Sequence, residues 1–168
     1  MNRALIILAL LVLATPACAQ SAGARGTAET TVGGKKITIT YGRPALNGRD
    51  LLAQAPVGFV WRLGKDQATE IDTAADLDVN GTTVKAGKYS LWVKRVSDSE
   101  WHLAFHPKTG VWGAPALESG YVAELPLTQS SASKPVETLT IGLSDVSGKA
   151  HVAIEWGTFV LSGDLAPK

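Results

Sequence analysis

The chain has 168 residues, 45% of them hydrophobic, with 16 Lys and Arg against 15 Asp and Glu for a formal net charge of +1 at pH 7. A near-neutral chain without clustered Lys and Arg lacks the electrostatic footprint of a DNA or RNA binder. Its single cysteine excludes a disulfide framework.

Met1-Asn2-Arg3 carries one positive side chain, an apolar run follows from Ala4 to Ala14, and Thr15-Pro16 breaks it before the small-x-small pattern Ala17-Cys18-Ala19. This is the layout of a secretory leader cleaved after Ala19, which predicts a periplasmic or secreted protein. The run is shorter than the roughly 20 residues of a membrane helix, and no later segment serves better. Cys18 lies inside the leader. Thr15-Pro16-Ala17 fits poorly the residues that precede a lipid-modified cysteine, so ordinary cleavage is expected and not a lipid anchor. The expected organisation is a leader at 1–19, a flexible spacer at 20–26 and a single domain at 27–168.

From Thr27 the pattern has period two. Ala28 to Val32, Gly33-Gly34, and Lys35 to Tyr41 read as a hairpin with Ile37, Ile39 and Tyr41 on one face. Asn47 to Ala53 is the one helix candidate, a turn or two. Further strands are expected at 59–62, 69–72 and 76–79, the last turned by Asn80-Gly81 into 82–84. Tyr89 to Val96 and Glu100 to Phe105 follow, with Trp101, Leu103 and Phe105 together. The last candidates are 120–125, 136–143, 150–156 and 158–161, with Ser130 to Pro135 as a surface loop. About ten short strands of this kind predict an all-β antiparallel β-sandwich or jelly roll with one short helical turn at most.

Tyr41-Gly42-Arg43-Pro44, Gly48-Arg49, Val60-Trp61-Arg62, Ala68-Thr69-Glu70, Ala86-Gly87-Lys88-Tyr89-Ser90-Leu91, Trp112-Gly113-Ala114 and Pro135-Val136-Glu137 run in that order along the chain. In this it resembles the bacterial domain-of-unknown-function family 2911. The resemblance implies an exported β-rich protein and brings no activity with it. The chain departs from the family's Arg-x-Gly-Ala-Asn segment, reading Arg62-Leu63-Gly64-Lys65-Asp66-Gln67.

The side chains offer several chemistries. His102 and His106 would stand about 13 Å apart on one strand, too far to share an ion unless the strand ends between them. With His151 they form no metal-binding motif, so no metal and no cofactor is expected. Ser90 sits in regular strand sequence without a nucleophile elbow, and no catalytic residue is assigned. Glu70 and Asp72 would lie on one strand face about 7 Å apart, a spacing compatible with acid/base glycoside hydrolysis or with a solvated face.

The remaining cluster is Tyr41, Arg43, Trp61, Arg62, Glu70 and Trp112. Guanidinium groups taken from water need partners, so these residues are either structural pairs, Arg62 with Glu70 for example, or a pocket for a small anionic or polar ligand. The reading is an exported binding or interaction module for a small molecule or envelope component. The alternative is a hydrolase acting on envelope glycans or another extracellular polymer through Glu70 and Asp72.

Overall fold

The computed structural model describes residues 25–112 and 116–168. The expected leader, most of the spacer and the Gly113-Ala114 part of one motif lie outside the described residues. Strands β1 (Arg25–Val32) and β2 (Lys35–Gly42) form the expected hairpin. Gly33 and Gly34 both take positive φ, 55° and 76°, the backbone of the tight turn whose twist matches paired strands. β1 starts two residues earlier than expected, since Arg25 and Gly26, assigned to the spacer, pair with Gly42 and Tyr41. Gly26 is needed there: a Cβ would stand 2.6 Å from the Tyr41 ring.

The next strands are β3 (Val60–Trp61), β4 (Thr69–Thr73), β5 (Leu77–Val79), β6 (Thr82–Val84), β7 (Gly87–Arg95), β8 (Trp101–His106), β9 (Ala123–Val146) and β10 (Lys149–Pro167). All pair antiparallel, in the order β1-β2-β4-β7-β8-β9-β10-β5-β6, with β3 beside β7. The sheet is not closed into a barrel. It folds over on itself through β9, whose first residues, Ala123 to Leu127, pair with β8, while Thr128 onward pairs with β10. β1 and β9 then come close together. Ile37, Ile39, Ile71, Leu91, Leu103, Leu139 and Ile154, each fully buried, fill the space between the layers; burial of such side chains stabilises by about 1.5–3 kcal/mol each.

Two strands are longer than expected. The candidate at 120–125 overlaps the start of β9 and that at 136–143 lies within it, while those at 150–156 and 158–161 lie within β10. Ser130 to Pro135 is not a separate loop but an exposed irregularity within β9, where residues 132–135 bulge opposite Thr158. Residues 137–139 leave β10 as well and meet the chain beyond β2: Leu46 N–H donates to the Glu137 carbonyl at 2.8 Å and Leu139 N–H to that of Pro44 at 3.0 Å. Asn47 to Ala53 forms turns, and the described residues contain no helix.

Candidate ligand site

β3 and β4 lie in line on the same side of β7. Trp61 faces Val93 and Thr69 faces Leu91, so residues 62–68 leave and re-enter the sheet with only Trp92 of β7 between the two pairings. The neck of this loop closes by Thr69 N–H donating to the Arg62 carbonyl at 3.2 Å. Inside it the buried Thr69 hydroxyl donates to the Leu63 carbonyl at 2.6 Å. Leu63 is buried with φ 55°, a conformation that costs a branched residue about 1–2 kcal/mol and persists only where the surroundings hold it.

The loop packs directly on the end of β2. A Cβ on Gly42 would stand 2.1 Å from the Lys65 carbonyl oxygen, and one on Gly64 would stand 2.8 Å from the Gly42 oxygen. Backbone rests on backbone there, which only glycine permits. Arg25 spans the same junction, donating from Nη2 to the Thr40 carbonyl at 3.2 Å and to that of Ala68 at 3.4 Å. Arg62 Nε donates to the Gly64 carbonyl at 3.2 Å, and Arg43 Nε to that of Leu139 at 3.3 Å. Tyr41 is buried, its hydroxyl accepting from Ile141 N–H at 3.0 Å and donating to the Ile141 carbonyl at 3.4 Å.

Glu70 and Asp72 point to the other face of β4, as period two requires. Glu70 Oε1 accepts from Gly110 N–H at 2.6 Å, and Asp72 pairs with Lys88 at 3.5 Å. The Ser90 hydroxyl donates to the Lys108 carbonyl at 2.8 Å and accepts from Trp92 Nε1 at 3.0 Å. These bonds hold the chain after β8 over this face, where Val111, Ala116, Leu117 and Tyr121 cover Ala68, Trp92 and Ala104. Trp112 pairs by backbone with Gln67 and leaves its side chain largely in solvent.

His102 and His106 occupy the same strand, β8. His102 Nδ1 meets Glu124 at 2.9 Å and Nε2 meets Glu100 at 2.8 Å. His106 Nδ1 accepts from Lys108 N–H at 2.9 Å and its Nε2 lies 3.1 Å from the Ser119 carbonyl. His151 pairs with Asp164. Among the described residues no three His, Cys, Asp or Glu side chains gather as metal ligands. Burial pushes the Glu124 carboxyl up, but hydrogen bonds from Lys94 and His102 outweigh it and hold the group below its ordinary range. Burial, with the Glu124 charge nearby, pushes the Tyr121 phenol up to about 12.

A concave apolar surface lies elsewhere, under the segment between β2 and β3. The Asp50 carboxylate accepts from Ala53 N–H and from the Thr158 hydroxyl, each at 3.2 Å. It sits against Gly157, whose φ of 63° turns β10 where its register shifts. Buried Leu52 anchors the segment from below, and Arg95 donates from Nη1 to the Ala55 carbonyl. Between these fixed points Leu51, Leu52, Gln54, Ala55, Pro56, Phe59, Trp61 and Trp156 line an open groove of about 430 Å³. None of these side chains is charged, and Gln54 supplies the amide among them. Trp61 lies flat on Trp156, ring centres 5.2 Å apart and planes at 12°. Trp156 is 2% exposed, and among the described residues no acceptor answers its buried Nε1–H.

A family model described as "Protein of unknown function (DUF2911)" matches residues 23–163. The chain belongs to the DUF2911 family. No curated protein and no solved structure matches it. The DUF2911 match spans β1 to most of β10, so both the loop junction and the groove fall inside it. In this DUF2911 chain the six sequence-derived candidates have different surroundings among the described residues. Arg43 and Tyr41 bind β9 carbonyls, Arg62 binds its own loop, Glu70 holds Gly110, and Trp112 stands on the surface. Trp61 alone of the six lines the groove. Sequence reasoning missed Trp156, Phe59, Leu51 and Pro56. The available signal was a loop, Leu51 to Phe59, too apolar for an exposed connection and lacking strand alternation.

Proposed function

We propose that the protein is an exported binding module that holds a small, neutral, apolar ligand in the groove walled by Trp61 and Trp156. The groove carries this reading. Its volume falls in the range of small-molecule sites, and its lining has the apolar and aromatic character such sites share. Uncharged walls favour an uncharged guest, because a charge brought here would lose its water and gain no partner. Export rests on the leader pattern at 1–19, and the span 27–168 is taken as one domain.

From the sequence the arginines are either structural pairs or a pocket for a small anionic or polar ligand. Arg43 and Arg62 each donate to a backbone carbonyl, which supports a scaffolding role for them. A hydrolase would need Glu70 and Asp72 available to exchange protons with a substrate, whereas Glu70 holds Gly110 and Asp72 holds Lys88.

The test is titration with the uncharged fluorophore N-phenyl-1-naphthylamine. Wild type should enhance its emission with a saturable curve. Leu51→Glu, which sets a charge at a 42% exposed position on the rim, should weaken binding about tenfold or more while leaving the melting curve unchanged. Equal binding by both proteins, or none by wild type, would contradict the reading.

A further inference from the structure

Trp156 offers a donor that the described residues leave unanswered. An indole nitrogen can only donate, and buried donors in folded proteins almost always have partners. Here the ring belongs to the groove wall and is 2% exposed, its N–H enclosed, with no acceptor in reach among the described residues. The other two fully buried indoles are served: Trp92 donates to Ser90 and Trp101 donates to Gln129 at 2.8 Å. The exception therefore sits in the wall of a groove where apolar side chains of Leu51, Pro56, Phe59 and Trp61 surround an open volume.

Resting on the groove reading above, we propose that its ligand is a flat, uncharged, mainly hydrocarbon molecule bearing one hydrogen-bond acceptor, such as a ketone, ester or amide carbonyl, which accepts from Trp156 Nε1–H. Three observations select this class. The walls carry no charge, so the acceptor belongs to a neutral group. Trp61, braced flat against Trp156, offers a stiff planar face suited to a ring. A neutral acceptor that meets the enclosed donor replaces an unmade bond with a made one, while an isosteric hydrocarbon leaves the donor as it was. Selectivity between two such guests then reports on this single contact, because a site built to hydrogen-bond a guest rejects the analogue that lacks the group. The N–H is screened from solvent in the free groove, so the carbonyl reaches it by moving part of the groove wall aside.

The experiment compares 2-acetylnaphthalene with 2-isopropenylnaphthalene, nearly equal in shape, on the full exported protein by competition against N-phenyl-1-naphthylamine. Wild type should prefer the ketone about tenfold, and Trp156→Phe should bind both alike. Since Trp156→Phe removes a buried ring edge and can loosen the fold, a second readout uses wild type alone. The Trp156 Nε1–H proton resonance should move downfield with the ketone and stay nearly still with the hydrocarbon. Equal affinity of wild type for both guests, with the resonance moved alike by both, would overturn the acceptor inference while leaving an apolar groove in place. Failure of both to compete, where the fluorophore also fails to bind, would remove the groove reading and this inference with it.

Discussion

Trp61 and Trp156 lie face to face at 5.2 Å, one on the shortest strand of the sheet and the other on β10 where its register breaks. Two residues of strand are a weak hold for a large side chain, so the stack itself fixes β3 against the second layer. Trp61→Ala should lower stability by about 2–3 kcal/mol, somewhat below a full core truncation because Trp61 is half-buried. Trp61→Phe should lose about half as much. Urea denaturation with an unchanged slope measures both.

Tyr41→Phe removes the hydroxyl that serves both the N–H and the carbonyl of Ile141 in the interior. Two backbone groups are left unanswered for the loss of one oxygen. The expected cost is about 1–3 kcal/mol, with faster amide hydrogen exchange at Ile141.

Gly42→Ala should be worse than Gly34→Ala. At Gly42 the added carbon meets the Lys65 backbone at 2.1 Å, so the 62–68 loop must lift from β2. At Gly34 there is open space, and the cost is the positive φ alone. About 3 kcal/mol or more against about 1 kcal/mol is expected from parallel thermal melts.

The pH dependence has two arms. Glu124 is held below its ordinary value of 4.5, so its contribution is complete above that pH and fades as pH falls below it. Tyr121 is raised from 10.0 to about 12, so the fold keeps the phenol protonated. That contribution is complete below pH 10 and is lost as pH rises towards 12. Tyr121→Phe should flatten the alkaline arm, and Glu124→Gln the acid arm, in melting temperature measured against pH.

What the sequence made legible is what short-range chemistry dictates. Ile37, Ile39 and Tyr41 alternate inward as period two demands, and Gly33-Gly34 and Asn80-Gly81 turn their hairpins with paired positive φ. Ser147-Gly148 does the same between β9 and β10 and went unnoticed, though Asp145 accepting from Gly148 N–H at 3.0 Å is ordinary turn chemistry. Residues 130–135 are polar and contain proline, so they read as a loop; that they continue β9 depends on distant β10 and on no local preference. The arginines had been grouped because charge among apolar residues needs a partner. The rule holds, and here Arg43 and Arg62 each donate to a backbone carbonyl, a kind of partner that composition cannot foretell. Trp156 entered the sequence reading only as the end of a strand, and its meeting with Trp61 is a long-range outcome of how β9 carries the sheet over.

The most direct measurement follows all five indole N–H resonances while 2-acetylnaphthalene is added. Trp61 and Trp156 should shift together with one dissociation constant, and Trp92, Trp101 and Trp112 should stay in place. A shift confined to exposed Trp112, or no saturable shift at any indole, would contradict binding in the groove.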